Sequence, residues 1–284
     1  MSIESIHTED RIFHPNKQLS KNSRVKDLAQ YQKLCESYKS DYEGTWGKLA
    51  NDLLIWDKPF TKILDDSTPP FYRWFDDGKL NASFNCLDRH VDSQPNKTAI
   101  IFEADDGNVT KVTYQELYER VCQFSNGLKT LNLNIGDRVI IYLPMGIEAI
   151  VAMQACARLG LTHSVVFGGF SAKSLQERIS DTTAKLVITS DGQFRGGKVI
   201  PLKSAIDDAI EMGDCESIEK VIVFNRTNEP FSKNDRDIMW DDLIRNQSTE
   251  CSPVSVPAEH PLFILYTSGS TGKPKGVQHS TAGF

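Results

Sequence analysis

The chain has 284 residues, of which 39% are hydrophobic and 25% charged, and it carries a formal net charge of −6. That length holds one large α/β domain or two smaller ones, and the composition is that of an ordinary soluble protein. The acidic balance argues against a nucleic-acid binder, which would present a basic face, and no apolar run reaches the roughly 20 residues of a membrane span.

The N-terminus carries Glu4, Glu9 and Asp10 and has no apolar core. It reads as neither a secretory signal nor an acid-poor transit peptide, so a cytoplasmic protein with no nucleic-acid or membrane partner is expected. Residues 1–30 are polar with no clear period and read as a loose tail. From Tyr31 to Val91 the chain is rich in aromatic residues, among them Trp46, Trp56, Phe60, Phe71, Trp74, Phe75 and Phe84. These read as core-filling anchors for short helices and loops rather than as a ligand cage.

An alternation of strands and helices begins at Lys97. Thr98–Phe102 reads as a strand, followed by a turn at Asp105–Asn108. Thr113 and Glu116 form a capping box ahead of Leu117, Val121, Phe124, Leu128 and Leu131, which recur at helical spacing. Strands are expected at 138–143, 165–167, 185–190, 221–224 and 262–266. Helices are expected at 147–159, from Ser171 through Ile179, at 204–212 and at 240–244. The pattern predicts an α/β fold with a doubly wound, largely parallel sheet, whose ligands sit beyond the carboxyl ends of its strands.

Six scattered cysteines, Cys35, Cys86, Cys122, Cys156, Cys215 and Cys251, include no Cys-x-x-Cys pair; they read as reduced structural thiols. No His/Asp/Glu cluster has metal spacing and no nucleophilic triad stands out, so no metal ligand and no catalytic residue is assigned. His163 reads as a packed histidine, and His260 and His279 receive no role.

After the apolar run Pro261–Tyr266 comes Thr267, Ser268, Gly269, Ser270, Thr271, Gly272, Lys273, Pro274, Lys275, Gly276. Glycines let backbone N–H groups approach an anion, four hydroxyls add donors, and Lys273 and Lys275 add charge. The stretch therefore reads as a polyphosphate cradle. It is not a Walker A loop, because its glycines are three apart and Pro274 stands where that motif has a hydroxyl residue and a helix start. Two other segments follow strands. Arg195, Gly196, Gly197 and Lys198 flank a turn with two cations, which by spacing alone is an exposed basic turn or a phosphate grip. Phe167–Phe170 is a glycine turn at a strand end.

The string Tyr266–Gly276 resembles the signature phosphate loop of the adenylate-forming superfamily. The runs Leu143–Gly160 and His163–Ser171 and the segment Tyr31–Val91, which includes Trp74–His90, are similar to acetyl-CoA synthetases in particular. The resemblance covers roughly Tyr31–Phe284. It implies an N-terminal extension over 31–91 and the first part of an AMP-binding domain over 92–284, with an incomplete sheet. It also implies that Thr267–Lys273 and Lys275 hold ATP phosphates and that Arg195–Lys198 hold the phosphates of the CoA nucleotide. The family commonly has arginine near the position of Lys198, and lysine lacks its bidentate fork.

The reaction implied uses ATP, CoA and acetate, with Mg2+ accompanying ATP, and passes through an acetyl-adenylate to acetyl-CoA, AMP and diphosphate. The family's adenine, magnesium, carboxylate-pocket and adenylation-lysine motifs lie beyond the phosphate loop. The expectation is therefore an N-terminal portion of such an enzyme, inactive alone. A propionate or other short-chain acyl-CoA synthetase, or a non-catalytic module that binds CoA or nucleotide, stays open.

Overall fold

The structure, a computed structural model, describes residue 11, residues 13–267 and residues 274–284. The chain divides into two units, Met1–Leu53 and Leu54–Phe284. In the first, Asn16 and Asp27 cap helices α1 (Lys17–Asn22) and α2 (Leu28–Ser40) through their side-chain oxygens, as short polar side chains do at helix starts. Helix α3 (Tyr42–Leu53) follows, and Trp46 packs on Tyr38 of α2 with ring centroids 5.6 Å apart. Part of the stretch read as a tail is thus helical.

The second unit opens with short strands β1 (Leu64–Asp65), β2 (Arg73–Trp74) and β3 (Lys79–Leu80), then helices α4 (Ala82–Cys86) and α5 (Asp88–Val91). Its aromatic residues pack on one another as expected. Phe60 lies 4.6 Å from Phe75 and 5.0 Å from Trp56, centroid to centroid. Gly78 must lack a side chain there, since a Cβ would come within 2.6 Å of the Trp56 ring.

Two buried polar residues tie this segment to the rest. The Asn81 side-chain amide donates to the carbonyls of Ala157, Arg158 and Val254. Arg158, 1% exposed, makes a two-pronged pair with Asp88 at 2.8 Å and donates through Nε to the Cys251 carbonyl at 2.6 Å. A buried ion pair of this kind contributes little net stability when intact, but losing one partner costs about 3–5 kcal/mol.

Next come β4 (Thr98–Glu103) and β5 (Val109–Thr113), helix α6 (Tyr114–Lys129), β6 (Arg138–Tyr142), α7 (Ile147–Leu159), β7 (Thr162–Val165), α8 (Ala172–Thr182) and β8 (Leu186–Ser190). The chain continues with β9 (Gly192–Arg195), β10 (Lys198–Pro201), α9 (Lys203–Glu211), β11 (Lys220–Phe224), β12 (Asp237–Met239), α10 (Trp240–Ile244), β13 (Val256–Pro257), β14 (Pro261–Thr267) and β15 (Lys275–Ser280). Seven strands form the main sheet in the order β12-β11-β8-β6-β7-β14-β15, parallel throughout except for the antiparallel pair β14–β15.

Strand parity decides which helix covers which face. Val139, Ile141, Ile188 and Ile222 point to one side and meet α6, α7 and α10. Ile140, Tyr142, Val187 and Val223 point to the other and meet α8 and α9. The chain leaves β6 for one face and β7 for the other. Their carboxyl ends are therefore the topological switch point, where doubly wound sheets open a crevice.

The capping box at Thr113 and Glu116 is present, and Ser171 caps α8. Cys122 and Cys156 are buried on helices, and all six cysteines are free thiols.

Three elements differ from expectation. Thr98–Glu103 is not in the main sheet but pairs antiparallel with β5 as a separate hairpin; the polar alternation of Val109–Thr113 concealed its partner. β7 begins three residues earlier than the apolar run Val165–Phe167, because its ladder with β6 runs from Arg138–Thr162 to Ile141–Val165. Phe167 is left 51% exposed in the loop beyond. The phosphate-loop stretch returns as a strand, with Thr267 paired to Lys275 and Tyr266 to Gly276.

His163 on β7 is 6% exposed, and burial pushes its imidazole down to about 4. The folded pKa lies below the unfolded value of about 6.5, so the unfolded chain binds the proton first as pH falls. Wild type should therefore lose stability relative to His163→Gln between about pH 6.5 and 4, and no further below that window. Urea unfolding midpoints of the two proteins across this range check it; parallel pH profiles would contradict it.

Candidate functional site

A cavity of about 510 Å³ opens at the switch point. Its walls come from the segment after β6 (Leu143–Gly146), the end of β7 and the turn beyond it (Val165–Gly168), the hairpin strand β9 with Arg195, and Arg226 just past β11. The β4–β5 hairpin, though outside the main sheet, closes one side with Ile100–Asp105. The volume lies within the range of small-molecule sites.

The Arg195–Lys198 segment is the tip of the hairpin β9–β10. Gly196 and Gly197 have φ of 57° and 74°, the left-handed pair that a two-residue hairpin turn demands. Arg195 and Lys198 face each other across its mouth. Like charges at such a cross-strand position are unfavourable by themselves, and an anion between them relieves the repulsion. Neither forms an ion pair among the described residues. Arg195 lies over the Phe167 ring at 5.2 Å and lines the cavity, whereas Lys198 does not.

The Phe167–Phe170 turn is held from below. The Tyr142 hydroxyl donates to the Phe170 carbonyl at 3.0 Å, and the Gln193 amide donates to the Gly168 carbonyl. Gly169 makes room for the arginine: a Cβ there would sit 2.8 Å from Arg195 Nη1 and 2.7 Å from the Phe167 ring.

The base of the site rests on Asp191, 1% exposed, immediately after β8. Its carboxylate accepts from the backbone N–H of Gly192, Arg226, Thr227 and Glu229 and from the Thr227 hydroxyl, at 2.7–3.1 Å. One buried carboxylate thus fixes both the start of the Gly-Gly hairpin and the loop that carries Arg226. The sequence reading missed Asp191, Gln193 and Arg226. An acid–glycine pair directly after a buried strand was the one local signal for Asp191; its other partners lie 35 to 38 residues away.

Of the expected phosphate-loop residues, Thr267 and Lys275 are placed as an exposed cross-strand pair at the mouth of the β14–β15 hairpin. Ser268, Gly269, Ser270, Thr271, Gly272 and Lys273 lie outside the described residues. The strand leading into them is anchored by Tyr266, whose hydroxyl donates to Asp181 and whose ring faces Arg178 at 5.0 Å. Burial and the neighbouring Asp181 carboxylate hold the Tyr266 phenol well above its ordinary value, so it is a hydrogen-bond donor at neutral pH. Arg178 also lies 4.8 Å from the Phe170 ring. Its guanidinium is sandwiched between the cleft turn and the hairpin, giving a direct physical link between the two.

Fold and cleft together define a doubly wound α/β domain with a cavity at its strand ends. Comparison with known proteins narrows the class. A family model described as AMP-binding enzyme matches residues 87–284, and one described as acetyl-coenzyme A synthetase N-terminus matches residues 31–86. The chain belongs to the family of AMP-binding enzymes. It is 58% identical over 283 residues to an acetyl-coenzyme A synthetase of Thiobacillus denitrificans and 58% identical over 284 residues to that of Methylobacillus flagellatus. Each match covers 100% of this chain and 43% of the relative, so the chain spans less than half the length of these proteins. Among solved structures it is similar to an acetoacetyl-CoA synthetase from Streptomyces lividans, with a TM-score of 0.83 and 25% identity over 94% of this chain and 41% of the other.

Replacing Asp191 by Ala strands several buried N–H donors at once. Asp191→Ala should lower unfolding stability by about 3 kcal/mol, measured by urea denaturation. An unchanged midpoint would remove Asp191 from its place as the organiser of the cleft.

Proposed function

We propose that the protein is an AMP-forming acetate–CoA ligase, to which residues 1–284 contribute the CoA nucleotide cleft and one wall of the ATP phosphate site. The observation that carries this reading is the match to acetyl-coenzyme A synthetases along the whole chain, with both family models falling in the same order. The geometry agrees: a basic, ring-walled cleft at the switch point suits a nucleotide that bears phosphates.

In this reading acetate attacks the α-phosphate of ATP, releasing diphosphate and forming acetyl-adenylate. The CoA thiol then attacks the acetyl carbonyl and AMP leaves. Thr267 and Lys275 sit at the mouth of the loop that would grip the β- and γ-phosphates, together with Ser268–Lys273. Lys275 offsets their charge, which is how positioned cations assist phosphate chemistry. Arg195 binds a CoA phosphate with its fork. Gly196 and Gly197 let the backbone approach, and Lys198 adds a point charge at the rim. Arg178 and Tyr266 hold the hairpin against the CoA turn, so the two ligands are presented to each other from one rigid edge.

Mg2+ would arrive with ATP. Among the described residues no three His, Cys, Asp or Glu side chains converge to hold a metal ion, and no step is assigned to it. No helix among the described residues is long and apolar enough to cross a membrane. The six free thiols accord with a reducing compartment, and the cytoplasm is the site we propose.

The 284-residue chain should bind CoA in calorimetry and form no AMP from acetate, ATP and CoA. Arg195→Ala should weaken CoA binding about tenfold or more, and Lys198→Ala by less, because a guanidinium bound in a two-pronged fork holds phosphate more firmly than an ammonium. Absence of CoA binding, or equal losses in the two variants, would contradict this assignment.

A further inference from the structure

Arg226 is the second guanidinium of the switch-point cleft, and no sequence motif pointed to it. It stands two residues past β11, with its backbone N–H held by Asp191 at 2.8 Å. Its side chain lies over the Phe102 ring of the β4–β5 hairpin at 5.5 Å and lines the same cavity as Arg195. Gly146, at the start of α7, lies beside it, in ordinary van der Waals reach of Arg226 Nη1.

Two features mark Arg226 as poised for a ligand rather than for the fold. Its Nε is buried without a hydrogen-bond partner, a state that is unfavourable for a polar atom unless something completes it. It also forms no ion pair among the described residues. The carboxylates lining the cavity, Glu103 and Asp105, are exposed on the hairpin and pair with neither arginine.

The two arginines are arranged alike. Arg195 stacks on Phe167 and Arg226 on Phe102, so each guanidinium is backed by an aromatic ring. A flat ring face covers the apolar side of a guanidinium and holds it in one orientation. The cleft thus offers two preoriented forks, one exposed ring in Phe167 and one half-buried ring in Phe102. That combination suits a nucleotide with more than one phosphate group, since each fork matches phosphate oxygens in pairs and the rings suit a base. A single-phosphate ligand would leave one fork unused.

We propose that Arg226 is a phosphate-binding residue of this cleft, taking a phosphoryl group at the nucleotide end of CoA while Arg195 takes another. The proposal rests on the reading of the cleft as the CoA site, and the test separates the two. The 284-residue chain is titrated calorimetrically with CoA and with dephospho-CoA, as wild type, Arg195→Ala, Arg226→Gln and Arg226→Lys, with melting curves run alongside.

The expected result is that Arg226→Gln melts as wild type does and binds CoA about tenfold or more weakly, with Arg226→Lys in between because it keeps charge without the fork. A loss confined to CoA assigns Arg226 to the 3′-phosphate, and an equal loss with dephospho-CoA assigns it to the diphosphate. If Arg195→Ala weakens CoA binding while both Arg226 variants bind as wild type does, the proposal is overturned and the CoA reading stands. If wild type binds neither compound, the CoA reading itself falls. Should Arg226→Gln melt lower, Arg226→Lys decides: wild-type affinity overturns the proposal, and weakened affinity supports it.

Discussion

The Asp191 carboxylate is the constraint on which the cleft depends. It sits at the end of a central strand with both oxygens occupied, and its donors come from the two segments that leave the paired strands β8 and β11, whose ladder ends at Ser190 and Phe224. One is the base of a hairpin whose tip carries Arg195 and Lys198. The other is the loop that carries Arg226. A buried carboxylate is tolerable only with such a full set of donors, and accepting from them orders the loop that supplies them. The loop that carries Arg226 and the hairpin that carries Arg195 are thus fixed by one buried carboxylate, and neither guanidinium forms an ion pair among the described residues.

A second linkage runs through Arg178. It touches Phe170 in the cleft turn and Tyr266 in the strand that enters the hydroxyl- and lysine-rich stretch. Both residues are held by other bonds, Phe170 through its backbone carbonyl to Tyr142 and Tyr266 through its hydroxyl to Asp181. The sheet thus presents the cleft turn and the β14–β15 hairpin from adjacent strands, braced by a cation between two rings. Parallel strands give the layout, and stacking sets the spacing.

Much of this was legible in the sequence where the signal is local. Thr113 and Glu116 announce α6 because a capping box uses residues three apart, and the helices at 147–159 and 240–244 follow from local apolar pattern and length. The Gly196–Gly197 turn was legible because only glycine takes two successive positive φ values cheaply. Long-range pairing hid the rest. β5 is a polar strand recognisable only beside β4. β7 is placed by its ladder with β6 rather than by its most apolar residues. Asp191 and Arg226 lie 35 residues apart with the β9–β10 hairpin, α9 and β11 between them, and their relation exists only after the sheet has formed.

The crevice between the ends of β6 and β7 is proposed above as the nucleotide-binding centre of this chain. Amide hydrogen exchange of the 284-residue protein, with and without CoA, tests it most directly. The claim predicts slowed exchange over residues 143–146, 166–170 and 192–198 and in the loop at 226–229, with residues 64–80 unchanged. Unchanged exchange around the cleft at saturating CoA, or slowing confined to β1–β3, would contradict it.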